Sequence, residues 1–74
     1  MNRQYLFSGF ISAEKCQQFY RGEARYVIFT ADSGERVQLA FRHFQPFMSQ
    51  VGIRGRFRLS LTENGEFLRL EKIS

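Results

Sequence analysis

Gly52-Ile53-Arg54-Gly55-Arg56-Phe57-Arg58-Leu59-Ser60-Leu61 leads through Thr62-Glu63-Asn64-Gly65-Glu66 into Phe67-Leu68-Arg69-Leu70-Glu71. Along the first run Ile53, Phe57, Leu59 and Leu61 fall on one face of an extended chain. Arg54, Arg56, Arg58 and Ser60 fall on the other. Asn64-Gly65 is the strongest short-range hairpin signal a sequence offers. A two-residue turn there pairs Leu61 with Leu68, Leu59 with Leu70 and Arg58 with Glu71. A three-residue turn sets Leu59 against Arg69 and spoils the apolar face, so the pattern predicts the shorter turn. An antiparallel hairpin with one buried face anchors the fold.

The elements upstream follow by the same reasoning. Gln4 to Ile11 is rich in Tyr, Phe and Ile and reads as a strand. Ser12 is a good N-cap for a helix from Ala13 to Arg21, with Ile11 and Cys16 placed as a hydrophobic staple. Cys16, Phe19 and Tyr20 form its apolar stripe, and Gly22 ends it. Arg25 to Ala31 is a strand apolar on both faces, and Arg36 to Phe41 is a strand that points Val37, Leu39 and Phe41 inward. Between them a two-residue Ser33-Gly34 turn and a three-residue loop with left-handed Gly34 both fit. Pro46 suits the first turn of a second short helix, with Phe44, Phe47, Met48 and Val51 as its stripe and Gly52 as its stop.

The expected fold is α+β: about five mostly antiparallel strands in the order strand-helix-strand-strand-short helix-strand-strand. They form a curled sheet or small barrel with two short helices. The 74 residues allow one domain, 1–74, with a thin stability margin. Nine Phe and three Tyr supply much of its apolar surface. A single Cys (Cys16) forms no disulfide within the chain, and with one His (His43) it does not fill a zinc site, so no metal or cofactor is expected. The apolar run Leu6 to Ile11 is too short for a signal segment or a membrane span. These features lead to the expectation of a cytoplasmic protein with no membrane partner.

Arg36-Val37-Gln38, Arg42-His43-Phe44-Gln45-Pro46-Phe47, Gly52-Ile53-Arg54-Gly55-Arg56-Phe57-Arg58-Leu59, Phe67-Leu68 and Leu70-Glu71 carry a resemblance. Over nearly the whole chain they resemble a bacterial family of short single-domain proteins, known as a domain of unknown function. The resemblance implies a small bacterial cytosolic protein of about this length. It implies no activity and no functional residues.

The formal charge is +4, and of 11 basic residues only Lys15 and Lys72 are lysines. Arginine suits planar, bidentate recognition of phosphate and carboxylate. Arg54, Arg56 and Arg58 recur about 6.6 Å apart on one strand face, a row that fits a polyanion. Glu71 opposite Arg58 neutralises it, whereas Ile73 stands opposite Arg56, and Arg54 lies beyond the end of the pairing. Phe67, outward in this register, adds a stacking face, and Arg25 and Arg42 add charge. The partners expected from these residues are RNA or single-stranded DNA. The plainer reading is a solvated face laced with ion pairs.

The second functional reading is a protein-protein contact or self-association as a homodimer, through an edge strand or exposed aromatics. One contiguous arginine face poor in acid favours nucleic acid. Arginines paired one by one with acids, beside an exposed aromatic patch, favour protein. Chemistry is not expected. Cys16 sits on a buried stripe, and His43 adjoins Arg42, a poor neighbour for a general base. Glu63 and Glu66 flank a hairpin tip rather than a cleft, and Gly52-Ile53-Arg54-Gly55 opens a strand where an RNA-clamping Gly-x-x-Gly loop joins two helices. The expectation is a binding module and not an enzyme.

Overall fold

The computed structural model describes residues 1–74. The elements are β1 (Arg3–Ser12), α1 (Ala13–Tyr20), β2 (Tyr26–Thr30), β3 (Arg36–Ala40), β4 (Gly52–Leu61) and β5 (Phe67–Lys72). Two antiparallel sheets result, one of order β1-β4-β5 and one of order β2-β3. The fold is thus α+β with five strands, but the single curled sheet or barrel expected from sequence is split in two and does not close. The reason lies between β1 and β2. Only the Asp32 N–H reaches across, donating to the Leu6 carbonyl at 2.7 Å.

β1 and β4 pair along their whole length, from Arg3 opposite Leu61 to Ser12 opposite Gly52. Their inner faces carry Phe7, Ile11, Ile53, Phe57 and Leu59, all buried. The second sheet adds Phe29 and Leu39 to the same core, and the segment before β4 adds Phe41 and Phe44. Phe7 and Phe29 stack with ring centroids 3.7 Å apart, joining the two sheets. Phe44 meets Phe7 and Phe57 edge-on at 6.2 and 5.8 Å. The Phe44 contacts are the edge-to-face arrangement that aromatic quadrupoles favour.

Room for Phe57 comes from Gly9, where a Cβ would lie 3.0 Å from the ring. Gly55 stands opposite Gly9 and instead clears the Ser74 carbonyl, 2.7 Å from where its Cβ would be.

Ser12 caps α1 as its sequence implies, accepting from the Lys15 N–H at 3.1 Å. Cys16 is buried, and Phe19 stacks on Phe41 at 4.3 Å. Tyr20 departs from the expected stripe and is 56% exposed, touching Phe41 with its edge. The expected second helix is absent. Two 3₁₀ turns, Phe41–His43 and Gln45–Phe47, stand in its place. Phe44 is buried and Phe47 packs on the core, while Met48 and Val51 stay on the surface. Gly52 opens β4 directly after a turn held by reciprocal Ser49–Gly52 backbone bonds, so no chain remains for a further helical turn.

Both hairpins use three-residue loops. In the first, the Ala31 N–H donates to Glu35 at 2.8 Å and Gly34 is left-handed. In the second, the Thr62 N–H donates to Glu66 at 2.8 Å around Glu63-Asn64-Gly65. The predicted two-residue turn and its Leu61–Leu68 pair are therefore replaced: Leu61 faces Phe67. A β-bulge between Ser60 and Leu61 then skips Leu68, so Ser60 faces Arg69, Leu59 faces Leu70 and Arg58 faces Glu71. The bulge removes the one-residue offset that the longer turn introduces, and the apolar face survives.

Gly52 and Gly65 test this account. Both have positive φ, +100° and +87°, but only at Gly52 does a Cβ run into backbone, at Ile11 and at Ala13 N 2.7 Å away. Gly65→Ala is expected to cost about 1–2 kcal/mol in urea unfolding, the left-handed strain alone. Gly52→Ala is expected to cost about 3 kcal/mol or to abolish the cooperative transition. Equal effects of the two changes would show that the Gly52 junction yields freely.

A candidate interaction surface at the open seam

Parity places the free backbone groups. Arg56 exchanges backbone bonds with the β5 end, its N–H donating to Ser74 and its carbonyl accepting from Ile73. Its neighbours Phe57 and Gly55 therefore face β1, and in β1 Leu6, Ser8 and Phe10 turn their amides away from β4. In the other sheet the Arg25 carbonyl accepts from Phe41 and the Ala31 N–H donates to Glu35, so Tyr26, Ile28 and Thr30 turn theirs away from β3. Beyond the Leu6–Asp32 bond, these two edges face each other unjoined.

A groove of about 380 Å³ lies along this seam, lined mainly by Phe10, Ile11, Phe19, Tyr26, Val27 and Ile28. A second concavity shares Phe10, Ile11, Val27 and Ile28 and reaches down to Phe7 and Phe44 of the core. Phe10 is 67% exposed, and Tyr26 and Ile28 are 57% exposed. Lys15 is the only charged residue on the groove wall, and no carboxylate lines either cavity.

The arginine row is largely neutralised. The Arg56 guanidinium donates to both carboxylate oxygens of Asp32 and to Ser8 Oγ at 3.0 Å. Its hydrogen bond holds the Asp32 carboxyl below its ordinary pKa, and the same bond raises Arg56. Arg58 donates to Glu71 at 3.1 Å, as the register implied, and Arg69 shares that carboxylate at 3.4 Å. The hydrogen bond from Arg58, with the charges of Arg58 and Arg69, lowers Glu71. Arg54 has no ion pair and lies beside Phe10 at the mouth of a third concavity.

Phe67 leaves the arginine face altogether. The turn and bulge put it opposite Leu61, where it stacks flat on His43 with centroids 3.7 Å apart. Arg25 and Arg42 are likewise remote from the row in the fold: both line a concavity at the end of α1. The six residues nominated from sequence thus fall into an ion-paired pair (Arg56, Arg58), a free arginine by the seam (Arg54), a free pair elsewhere (Arg25, Arg42) and a ring on the opposite face (Phe67).

Phe10, Tyr26 and Ile28 were missed as a site. The signal for them is a strand apolar on both faces although one face meets solvent. Burial raises the Cys16 thiol, whose Sγ points to the Ile11 carbonyl at 3.9 Å. His43 is lowered, first by burial and then by Arg42. No group of three or more His, Cys, Asp or Glu comes together as a metal site would require, and no helix is long and apolar enough to cross a membrane.

The Asp32–Arg56 pair has a pH signature. A carboxylate held low in the folded state adds stability above its unfolded pKa and loses it as pH falls through the folded value. In a carboxyl-detected NMR titration Asp32 is expected to have its midpoint below the ordinary Asp value of about 3.9. Arg56→Gln is expected to return it to that value. An ordinary midpoint in the wild-type chain would remove the clasp.

No curated protein and no solved structure matches the chain. The family described as "Protein of unknown function (DUF2835)" matches residues 3–73, nearly the whole of it. The resemblance to a domain of unknown function holds in this respect, and the chain belongs to the DUF2835 family.

Proposed function

We propose that this chain is a non-catalytic protein-interaction module, and that an extended, apolar and acidic segment of a partner protein adds as a strand along the seam between β1 and β2. The observation that carries this reading is the pair of unjoined strand edges flanking an apolar groove. A peptide backbone satisfies the free amides of Ser8, Phe10, Tyr26, Ile28 and Thr30 and seats alternate side chains against exposed aromatics. A nucleic-acid strand has no matching ladder to offer. The acidic character follows from charge: Lys15 and Arg54 flank the seam without ion pairs, and no carboxylate lines the groove.

The nucleic-acid reading draws on the same free cations and on stacking against Phe10 and Tyr26. It is the weaker one, because the row that first suggested it is tied up at Arg56 and Arg58.

The test is selection from a displayed random-peptide library, followed by titration of the winning peptide into ¹⁵N-labelled protein. A short single-stranded RNA is titrated in parallel. Peptides alternating apolar residues with Asp or Glu are expected. Their shifts are expected at Gly9–Ile11 and Tyr26–Thr30, and Ile28→Lys, at an exposed position, is expected to weaken binding at least tenfold with the fold intact by circular dichroism. Shifts with RNA at the same amides and none with any peptide would replace this reading by the nucleic-acid one. Peptide shifts confined to another face would overturn strand addition.

A further inference from the structure

Arg25 and Arg42 line one concavity without being close in sequence. Arg25 precedes β2, and its carbonyl accepts from the Phe41 N–H at 2.9 Å, which places Arg42 on the adjoining rung. Both line a concavity of about 360 Å³ walled by Phe19, Tyr26 and Phe41, with Gln45 at its side. Neither arginine has an ion pair. Glu23, the nearest acid in sequence to Arg25, is engaged by Arg21 at 2.9 Å. No carboxylate lines the concavity. Two arginines without ion pairs on one concavity give it an uncompensated charge of two, and Tyr26 is its exposed aromatic flank.

We infer that this concavity is a binding site for a phosphate monoester carrying a flat ring. A phosphate monoester holds a charge of about −1.5 to −2 at neutral pH and offers three acceptor oxygens, matching two arginine forks. A single carboxylate leaves half of that charge unmet. The ring packs on Tyr26, the exposed aromatic of the lining, and Arg and aromatic faces also attract each other. The site adjoins the seam groove, with which it shares Phe19 and Tyr26, but its arginines lie outside that groove, so Arg25→Gln and Arg42→Gln separate it from strand addition.

His43 supplies a built-in reporter. Its ring stacks on Phe67, and Arg42 is the charged group that acts on it. An anion seated on Arg42 cancels part of that field and raises the imidazole midpoint.

The experiment titrates phenyl phosphate, inorganic phosphate and phenol into ¹⁵N-labelled protein, with adenosine monophosphate as a separate arm. Phenyl phosphate is expected to bind saturably, with a dissociation constant of about 1 mM or below, shifting the amides of Ala24–Tyr26 and Phe41–His43. Inorganic phosphate is expected to bind more weakly at the same amides, and phenol not at all. The His43 midpoint is expected to rise on saturation. Arg25→Gln and Arg42→Gln, both at exposed positions, are each expected to weaken binding about tenfold, and Arg42→Gln to abolish the His43 response. Tighter binding of adenosine monophosphate than of phenyl phosphate identifies a nucleotide as the source of this chemistry, and the reverse identifies an aryl phosphate. Either upholds the site. Absence of saturable shifts with every phosphate overturns it, as does unchanged affinity in the two folded variants.

Discussion

The fold rests on four phenylalanine rings. Phe7 and Phe57 belong to one sheet, Phe29 to the other, and Phe44 to the turn segment between them. The sheets share a single backbone bond, so side-chain packing carries the join. Phe7 stacks on both Phe29 and Phe57, and Phe44 closes the group edge-on. Burying a Phe side chain is worth about 1.5–3 kcal/mol, with about 0.5–1.5 kcal/mol more from a well-placed ring pair. For a chain this small, that cluster is a large part of the driving force. Because ring packing is less directional than a ladder of hydrogen bonds, it holds two sheets together without demanding that their edges meet.

The unequal opening of the seam follows. At one end the Leu6–Asp32 bond fixes the β2-β3 loop to β1, and Arg56 reaches across Ser8 to the same Asp32. At the other end Phe10 and Tyr26 have nothing between them but the groove. One of the two arginines that looked available for a polyanion thus clamps the shut end of the seam. Its role is positional: an exposed ion pair adds little stability, but a bidentate one sets geometry.

Much of this was legible in the sequence, and the errors have physical causes. The alternation in β4 gave its inner face, and with it the Leu59–Leu70 and Arg58–Glu71 pairs. Leu61 was mispaired because a three-residue turn and a one-residue bulge offset each other. Parity two residues farther along is the same with or without both. The second helix failed because apolar spacing in Phe44-Gln45-Pro46-Phe47 fits two short turns as well as one helix, and the abrupt start of β4 decides between them. Arg56–Asp32 was hidden for a different reason. Cross-strand neighbours can be counted from a hairpin turn, but Asp32 arrives from a separate sheet, and no local pattern announces it.

The contrast among the strand edges gives the seam its meaning. An exposed edge invites pairing with other chains, and folded proteins blunt it with charge, irregularity or cover. β3 presents Arg36 and Gln38 along its free edge, and β5 carries a bulge at one end and Lys72 at the other. The edges of β1 and β2 at the seam carry no such device. They present Phe10, Tyr26 and Ile28, more than half exposed, on unpaired backbone. On the proposed reading, this unprotected and apolar pair of edges is what the partner strand covers. A strand inserted there would join the two sheets into one, completing the continuous sheet that the aromatic cluster alone leaves open.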